Sequence, residues 1–306
     1  MGRMEELDTR NEELWQKAVS RGYRVDFPAV MAAKRANPND HMWQQFQRAM
    51  RYGRVYPKIN VNGTATGRFS MGGPNLQGLS PAFRRVLLAD EGQVLISCDL
   101  DHMEPSIAAG LSGDVKMRAA MMPGREPYLE LASTIAGTPI TDPDGPERQR
   151  AKESLMSIMF GMGVSGLSRK LAVPEKEAEQ LRRELFNAWP GFHAWTRQVL
   201  AAPHIETWGG KILPRPPQPH MPVAYTVQGS GAVYIKAAAC RADKLFTAAG
   251  MPDALWLVIH DEIVVCVPEA RAEEGRTLLE QAMCSEVRGQ PVFGTAKVLG
   301  PRFMKA

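Results

Sequence analysis

Val94-Leu95-Ile96-Ser97-Cys98-Asp99 and Leu255-Trp256-Leu257-Val258-Ile259-His260-Asp261 are two apolar runs that each close on an aspartate. Short runs rich in β-branched and aromatic residues, bounded by polar ones, form strands. The second run resumes after Glu262 with Ile263-Val264-Val265, so it forms a hairpin with a polar turn at His260-Asp261-Glu262. Between the two runs, Arg148, Lys152, Met156 and Phe160 recur at every fourth position. That spacing puts them on one ridge of a helix. Two carboxylates on one sheet, together with a helix that begins with two cations, suit metal-assisted chemistry on a nucleoside triphosphate. Each feature alone has a plainer use. Aspartate is common where a strand turns, and a basic helix start followed by apolar residues is an ordinary amphipathic pattern.

Outward from these runs, residues 4–50 are polar and helical in pattern, with Trp15, Val19, Met31, Trp43, Phe46 and Met50 as anchors. Residues 51–92 are rich in Gly, Asn, Pro and Ser and read as extended segments and turns. Glu104-Pro105 opens a short helix after Asp99, because proline is tolerated in a first helical turn, and Ser112-Gly113-Asp114 stops it. Helical patterns dominate residues 115–200, with breaks at Pro123, at 137–145 and at Pro174. A proline-rich stretch, 214–219, forms a stiff loop, and a further helix spans 231–248. Strands early and late with helices between them give an α+β fold, one sheet built from both ends of the chain and carrying a helical lobe.

With 306 residues, 44% hydrophobic and 23% charged, the chain has enough apolar surface for a large folded core, which excludes a disordered chain. The net charge of +4 is compatible with a polyanionic partner but does not by itself select one. No apolar run reaches the ~20 residues of a membrane span, and the polar N-terminal stretch lacks the apolar core of a signal peptide. The four cysteines, Cys98, Cys240, Cys266 and Cys284, show no zinc spacing. Reduced thiols in a cytoplasm are the expectation.

A glycine-rich loop carries Thr66-Gly67-Arg68-Phe69-Ser70 and Pro74-Asn75-Leu76-Gln77. Its Arg and Gln side chains have the reach to contact a nucleic-acid minor groove, and such a loop is also an ordinary surface turn. With this loop included, four segments resemble the signature motifs of family A DNA polymerases, the bacterial DNA polymerase I type. TGRFSMGGPNLQ at 66–77 resembles TGRLSS followed by PNLQ. DLDHMEPSIAAGLSGD at 99–114 resembles motif A, DYSQIELRVLAHLSGD. RQRAKESLMSIMFGMGVSGLSRKL at 148–171 resembles motif B of the fingers helix, and VIHDEIVVCVP at 258–268 resembles motif C. Gln228-Gly229-Ser230-Gly231-Ala232 is a weaker match to QGTAA.

The resemblance implies a right-hand polymerase fold, with an antiparallel palm sheet, a helical fingers insertion and a short helical thumb remnant at the N-terminus. The expected boundaries are 1–52 for the thumb-like segment, 53–115 and 201–306 for the palm, and 116–200 for the fingers. It also implies roles. Asp99 and Asp261 would bind two Mg²⁺ ions, with the Leu100 carbonyl and Glu262 assisting. Lys152 would act in catalysis and, with Arg148, would grip the incoming dNTP. Met156 and Phe160 would lie beside its base. Glu104 would exclude a ribose 2′-OH, and Arg68, Gln228 and His260 would contact the primer-template DNA. The reaction implied is template-directed nucleotide addition to a primer 3′-OH.

The sequence departs from the family at several positions. Met156 stands where Phe or Tyr is usual, Ser157 replaces a glycine, and Ser106 replaces the motif A arginine. Leu100 and Asp101 replace Tyr-Ser, Ala224 an asparagine and His220 an arginine. These positions bear on fidelity, sugar discrimination and DNA grip rather than on the metal ligands. The stretch before the TGR segment is short for a thumb and too short for an exonuclease domain. That raises the expectation of a weakly processive enzyme helped by a separate thumb, clamp or exonuclease protein. Two rival readings share the motifs: a polymerase-derived subunit that binds primer-template but acts only with a partner, and a single-subunit RNA polymerase. The intact aspartates and cations oppose the first, and Glu104 with the Asp261-Glu262 pair opposes the second.

Overall fold

The computed structural model describes residues 2–39 and 41–304. In chain order the elements begin with α1 (Gly2–Ser20), β1 (Tyr23–Val25), α2 (Phe27–Ala36), α3 (Met42–Ala49), β2 (Met50–Arg51), β3 (Arg54–Val55), β4 (Lys58–Asn60) and β5 (Ser70–Gly72). They continue with α4 (Pro81–Arg84), β6 (Leu87–Leu88), β7 (Gln93–Leu100), α5 (Met103–Ser112), α6 (Val115–Ala120), α7 (Pro127–Ala136) and α8 (Pro146–Met159). Next come α9 (Val164–Leu171), α10 (Glu175–Ala188), α11 (Pro190–Ala201), β8 (Ile205–Glu206), β9 (Ile212–Leu213) and α12 (Pro222–Ala248). The chain closes with β10 (Leu255–Ile259), β11 (Glu262–Pro268), α13 (Ala272–Met283), β12 (Ser285–Val287), β13 (Gln290–Val292) and β14 (Gly294–Gly300).

By packing, the chain divides into two compact units. The first comprises the chain up to Asp101, Ala232–Ser285 and the chain from Phe293. Its main sheet has the strand order β10-β11-β7-β14, with every pair antiparallel. Alternation along β7 explains the two faces. Val94, Ile96, Cys98 and Leu100 are buried, and α13 packs on this strand. The alternate residues Ser97 and Asp99 therefore take the opposite face. Gly294 lets β14 lie tight against β7, since a Cβ there would meet the Asp99 carbonyl oxygen at 2.2 Å. The helix α1 packs on β4 and β10 within the same unit.

The second unit comprises His102–Gly231 and Glu286–Val292. It is mainly helical, and one carboxylate holds three of its helices in place. Asp114 follows Gly113, whose left-handed backbone ends α5. Its Oδ1 accepts from Met117 N at 2.9 Å and caps α6, while its Oδ2 accepts from Gly191 N at 2.6 Å and Phe192 N at 3.2 Å at the start of α11. Such caps satisfy amides that have no partner inside the helix and contribute about 1 kcal/mol each.

Three expectations are corrected. The stretch 4–50 is not helical throughout, because Tyr23–Val25 pairs with β3 and β6. Three residues are too few to show a period of two, and what fixes this strand is distant: the buried Tyr23 hydroxyl donates to the Trp256 carbonyl at 2.8 Å. The helix expected from Gly231 begins nine residues earlier at Pro222, with Gly229 and Gly231 inside it. Tertiary packing overrides the glycines' low propensity, as their neighbours Val227, Ser230 and Ala232 are buried. Finally, Phe160 is not on the fourth turn of a helix. The helix α8 ends at Met159, and Phe160 is its C-terminal cap, just before Gly161 turns to positive φ.

Candidate active site

In the first unit, β7 delivers Asp99 and the β10–β11 hairpin delivers His260 and Asp261. The register places Glu262 directly opposite Asp99 and Thr295 on Asp99's other side, so one row crosses three strands. The Leu100 amide donates to the Asp261 carbonyl at 3.3 Å, which ties the hairpin turn to the end of β7. Asp99 is exposed and Asp261 half-buried. A hollow of about 310 Å³ on this face is lined by Ser97, Asp99, Asp101, Glu262, Thr295 and Lys297.

Glu262 is 3% exposed and fully engaged. Its Oε2 takes Arg84 at 3.1 Å and its Oε1 accepts from the Ser97 hydroxyl at 2.5 Å. A carboxylate with both oxygens committed supports the row from within the sheet. Asp99 and Asp261 stand at the same end of the sheet, Asp99 near the end of β7 and Asp261 in the hairpin turn tied to it. Among the described residues, no group of three or more His, Cys, Asp or Glu forms a ready metal cage. Two carboxylates without a cage fit a hard divalent ion that draws its remaining ligands from phosphate and water.

His260 adopts positive φ in the turn, at 53°, which aims the chain sharply from β10 into β11. Gln77 supports the strand just before it, its Nε2 donating to the Val258 carbonyl at 3.2 Å. Although His260 is exposed as a whole residue, its imidazole is held below the usual histidine range. Desolvation is the main cause, the Arg68 and Arg84 guanidiniums add to it, and Glu262 and Asp99 oppose it. Arg68 itself sits after Gly67, whose positive φ of 77° makes the tight turn, and the Arg68 amide donates to Thr64 Oγ1 at 3.0 Å.

In the second unit, the ridge on α8 is real for three of its four members. Arg148 and Met156 are half-buried and Lys152 is exposed, while Ala151, Leu155, Ile158 and Met159 on the other side fill the core. Arg148 Nε donates to Glu126 Oε2 at 2.9 Å. Both cations lie over the Tyr128 ring, Arg148 at 5.5 Å and Lys152 at 5.6 Å from its centroid. The His102 ring meets the edge of the same tyrosine at 4.8 Å. Burial pushes the Tyr128 phenol up to about 12; Arg148 lowers it, while Glu126 and Glu104 raise it. Tyr128 is therefore a neutral ring that both cations approach, Arg148 held there by Glu126 as well. Glu104 stands in the first turn of α5 and Gln228 half-buried on α12.

The sequence model of DNA polymerase family A matches residues 33–292. The chain belongs to DNA polymerase family A. It is 31% identical over 255 residues to the thermostable DNA polymerase I of Thermus aquaticus, covering 76% of this chain and 30% of that protein. It is 30% identical over 251 residues to DNA polymerase I of Aquifex aeolicus, covering 78% of this chain and 44% of that protein. The chain thus spans less than half the length of these relatives. The structure resembles the POL domain of Pol1 from M. smegmatis, solved in complex with DNA primer-template and dNTP, at a TM-score of 0.78 and 22% identity. That likeness covers 89% of this chain and 52% of the other. It shows a right-hand polymerase fold.

Within this family A chain, the structure brings together Asp99, Leu100, Asp261 and Glu262, with His260 beside them in the same turn. It also brings Arg148 and Lys152 together over one ring. Sequence reasoning missed Arg84, Ser97, Glu126 and Tyr128. The Arg84–Glu262 and Ser97–Glu262 contacts span 178 and 165 residues, so no local pattern reveals them. Glu126-Pro127-Tyr128 did carry a signal, a proline at a helix start, but nothing in it points to the α8 cations.

Proposed function

We propose that this chain is a template-directed DNA polymerase, adding deoxynucleotides to a primer 3′-OH with release of pyrophosphate. The observation that carries this is the convergence of Asp99 and Asp261, from segments far apart in sequence, at the tied ends of β7 and the β10–β11 hairpin. Asp99 and Asp261 would hold two divalent cations, Mg²⁺ by the hardness of the oxygen donors. When bound, these ions supply charge neutralisation at the α-phosphate and favour the ionised primer hydroxyl. Glu262 keeps the Asp99 row rigid through Arg84 and Ser97.

Arg148 and Lys152 hold the dNTP phosphates, with charge and hydrogen bonding acting together. Met156 and Phe160 follow along the chain and offer a softer, polarisable surface to the base. Glu104 excludes a 2′-OH and so selects deoxynucleotides. Arg68, Gln228 and His260 contact primer and template, and a neutral His260 accepts or donates one hydrogen bond without adding charge beside the metal-binding aspartates. In this reading the unit containing β7, β10, β11 and β14 contains the palm, and the fingers include α8. Primer-template DNA and dNTPs are the partners. No helix of the described residues is long and apolar enough to cross a membrane.

The test is primer extension by the purified chain with dNTPs and, separately, rNTPs. Extension with dNTPs that is lost in Asp261→Ala supports the proposal. Extension with rNTPs alone favours an RNA polymerase. Primer-template binding without extension by either set favours a binding subunit.

A further inference from the structure

The segment α1 lies before residue 33, outside the stretch matched by the family, yet it is fastened to the loop that carries Arg68. The fastening is a closed triangle of three side chains from three separate segments. Lys236 on α12 is 1% exposed. Its Nζ donates to Asp8 Oδ1 on α1 at 2.6 Å and to Asn62 Oδ1 at 2.8 Å. Asn62 Nδ2 donates in turn to Asp8 Oδ2 at 3.0 Å. Asn62 lies in the turn that leads from β4 to the TGR segment. The backbone is tied as well: Asn11 on α1 donates to the Lys236 carbonyl at 3.1 Å, and Gln16 on α1 to the Ile59 carbonyl at 3.4 Å.

Phe69, next to Arg68, is caught between the same two helices. Trp15 of α1 meets its ring edge-on at 5.9 Å, and the Lys236 ammonium lies 5.7 Å from its centroid. A buried ammonium is costly unless paired and hydrogen-bonded. Two of its partners, the Asp8 carboxylate and the Asn62 amide, are within reach only when α1 and the loop are both in place. Lys236 therefore couples the position of α1 to that of the loop.

We propose that α1 is a positioning element for primer-template binding, acting through Asp8, Lys236 and Asn62 to hold residues 61–70 so that Arg68 is pre-placed. The proposal rests on the reading of Arg68 as a DNA contact. Pre-placement spares the ordering cost that a mobile loop would incur on binding. Asp8, Asn62 and Lys236 touch no substrate in this scheme, so their loss changes DNA affinity and leaves dNTP use intact.

The experiment compares the full chain with Asn62→Ala and Asp8→Asn. A fluorescent primer-template with a 5′ overhang reports affinity, primer extension at saturating DNA reports the KM for dNTP, and hydrogen exchange reports local order. Loss of one or two charge-assisted bonds should raise the DNA Kd about fivefold or more in each variant. The dNTP KM should stay within about twofold, a change of under half a kcal/mol. Exchange should accelerate across residues 61–70 while β7, β10 and β11 keep their protection. Arg68→Ala should cost less affinity in the Asn62→Ala background than in the unaltered chain, since both act on one contact. Unchanged DNA affinity, fully additive losses, or exchange that accelerates equally in the main sheet would overturn the proposal. If the unaltered chain binds no primer-template, the DNA reading itself fails. The exchange pattern then decides alone whether the triangle holds the loop.

Discussion

Asp99 and Glu262 stand opposite each other as Cα partners on β7 and β11, yet their surroundings set them to different tasks. Asp99 is exposed, whereas Glu262 is buried and spends both oxygens on Arg84 and Ser97. The row thus has one carboxylate that faces solvent and one that acts as an internal strut. The Arg84 guanidinium lies 5.1 Å from the Phe303 ring, so it bridges the strut to the C-terminal segment as well.

Removal of Arg84 should be costly to the fold. Arg84→Met leaves a buried carboxylate without its cation, and breaking such a pair typically costs about 3–5 kcal/mol. Urea unfolding measures it. The double variant Arg84→Met/Glu262→Gln should regain part of the loss, because the unpaired charge is gone. If Arg84→Met alone unfolds at the original midpoint, the strut assignment is wrong.

The histidine of the hairpin gives a pH signature. The folded-state pKa of His260 lies below its ordinary value, so the unfolded chain binds more protons in the interval between them, and stability rises with pH there. The contribution is complete above the ordinary value of about 6.5 and is lost as pH falls through the folded value. NMR titration of the ring should find it below that ordinary value. Desolvation is the larger cause and would remain in Arg68→Ala, but loss of the neighbouring guanidinium should move the titration upward. A midpoint that does not move on loss of Arg68 would place that guanidinium away from the ring.

The two cations over Tyr128 should affect nucleotide use more than DNA binding. On the proposed reading Lys152→Ala would remove a charge-assisted contact to phosphate, a loss of about 1.5–3 kcal/mol. That corresponds to roughly a ten- to hundredfold change in kcat/KM for dNTP. Arg148→Ala should act in the same direction, and it also frees Glu126 from its 2.9 Å pair. An equal fall in primer-template affinity would move both residues to the DNA track.

Glu104 should set the choice of sugar. Glu104→Ala is expected to admit rNTPs while leaving dNTP addition in place. Competition between the two nucleotides in single-turnover extension measures the preference. If the preference is unchanged, discrimination resides at another residue.

What the sequence made legible follows from how local each signal is. The β7 and β10–β11 strands were readable because apolar runs end at Asp99 and Asp261 and no glycine or proline interrupts them. The segments that resemble the family's motifs fall in the family's order, and the family model matches residues 33–292. The α8 ridge was readable as far as Met156, but the spacing continued to Phe160 while the helix did not, because Gly161 at positive φ ends it. Lys236 drew no notice as one cation in a long helix, and its burial is apparent only once Asp8 and Asn62, 228 and 174 residues away in sequence, are seen beside it. Arg84 was silent for the same reason. Partners supplied by tertiary structure leave no periodicity to read.

In the proposed mechanism Asp99 and Asp261 together hold the two divalent cations that drive nucleotide addition. The most direct measurement is single-turnover primer extension at saturating dNTP and DNA, with Mg²⁺ titrated, in the unaltered chain, Asp99→Ala and Asp261→Ala, with primer-template Kd measured alongside. Extension should depend on Mg²⁺, and its rate should fall on the order of a thousandfold in each variant. The DNA Kd should stay nearly constant, because grip comes mainly from cationic contacts to phosphate. Extension by Asp261→Ala at a rate close to that of the unaltered chain, with the same Mg²⁺ dependence, would contradict that mechanism.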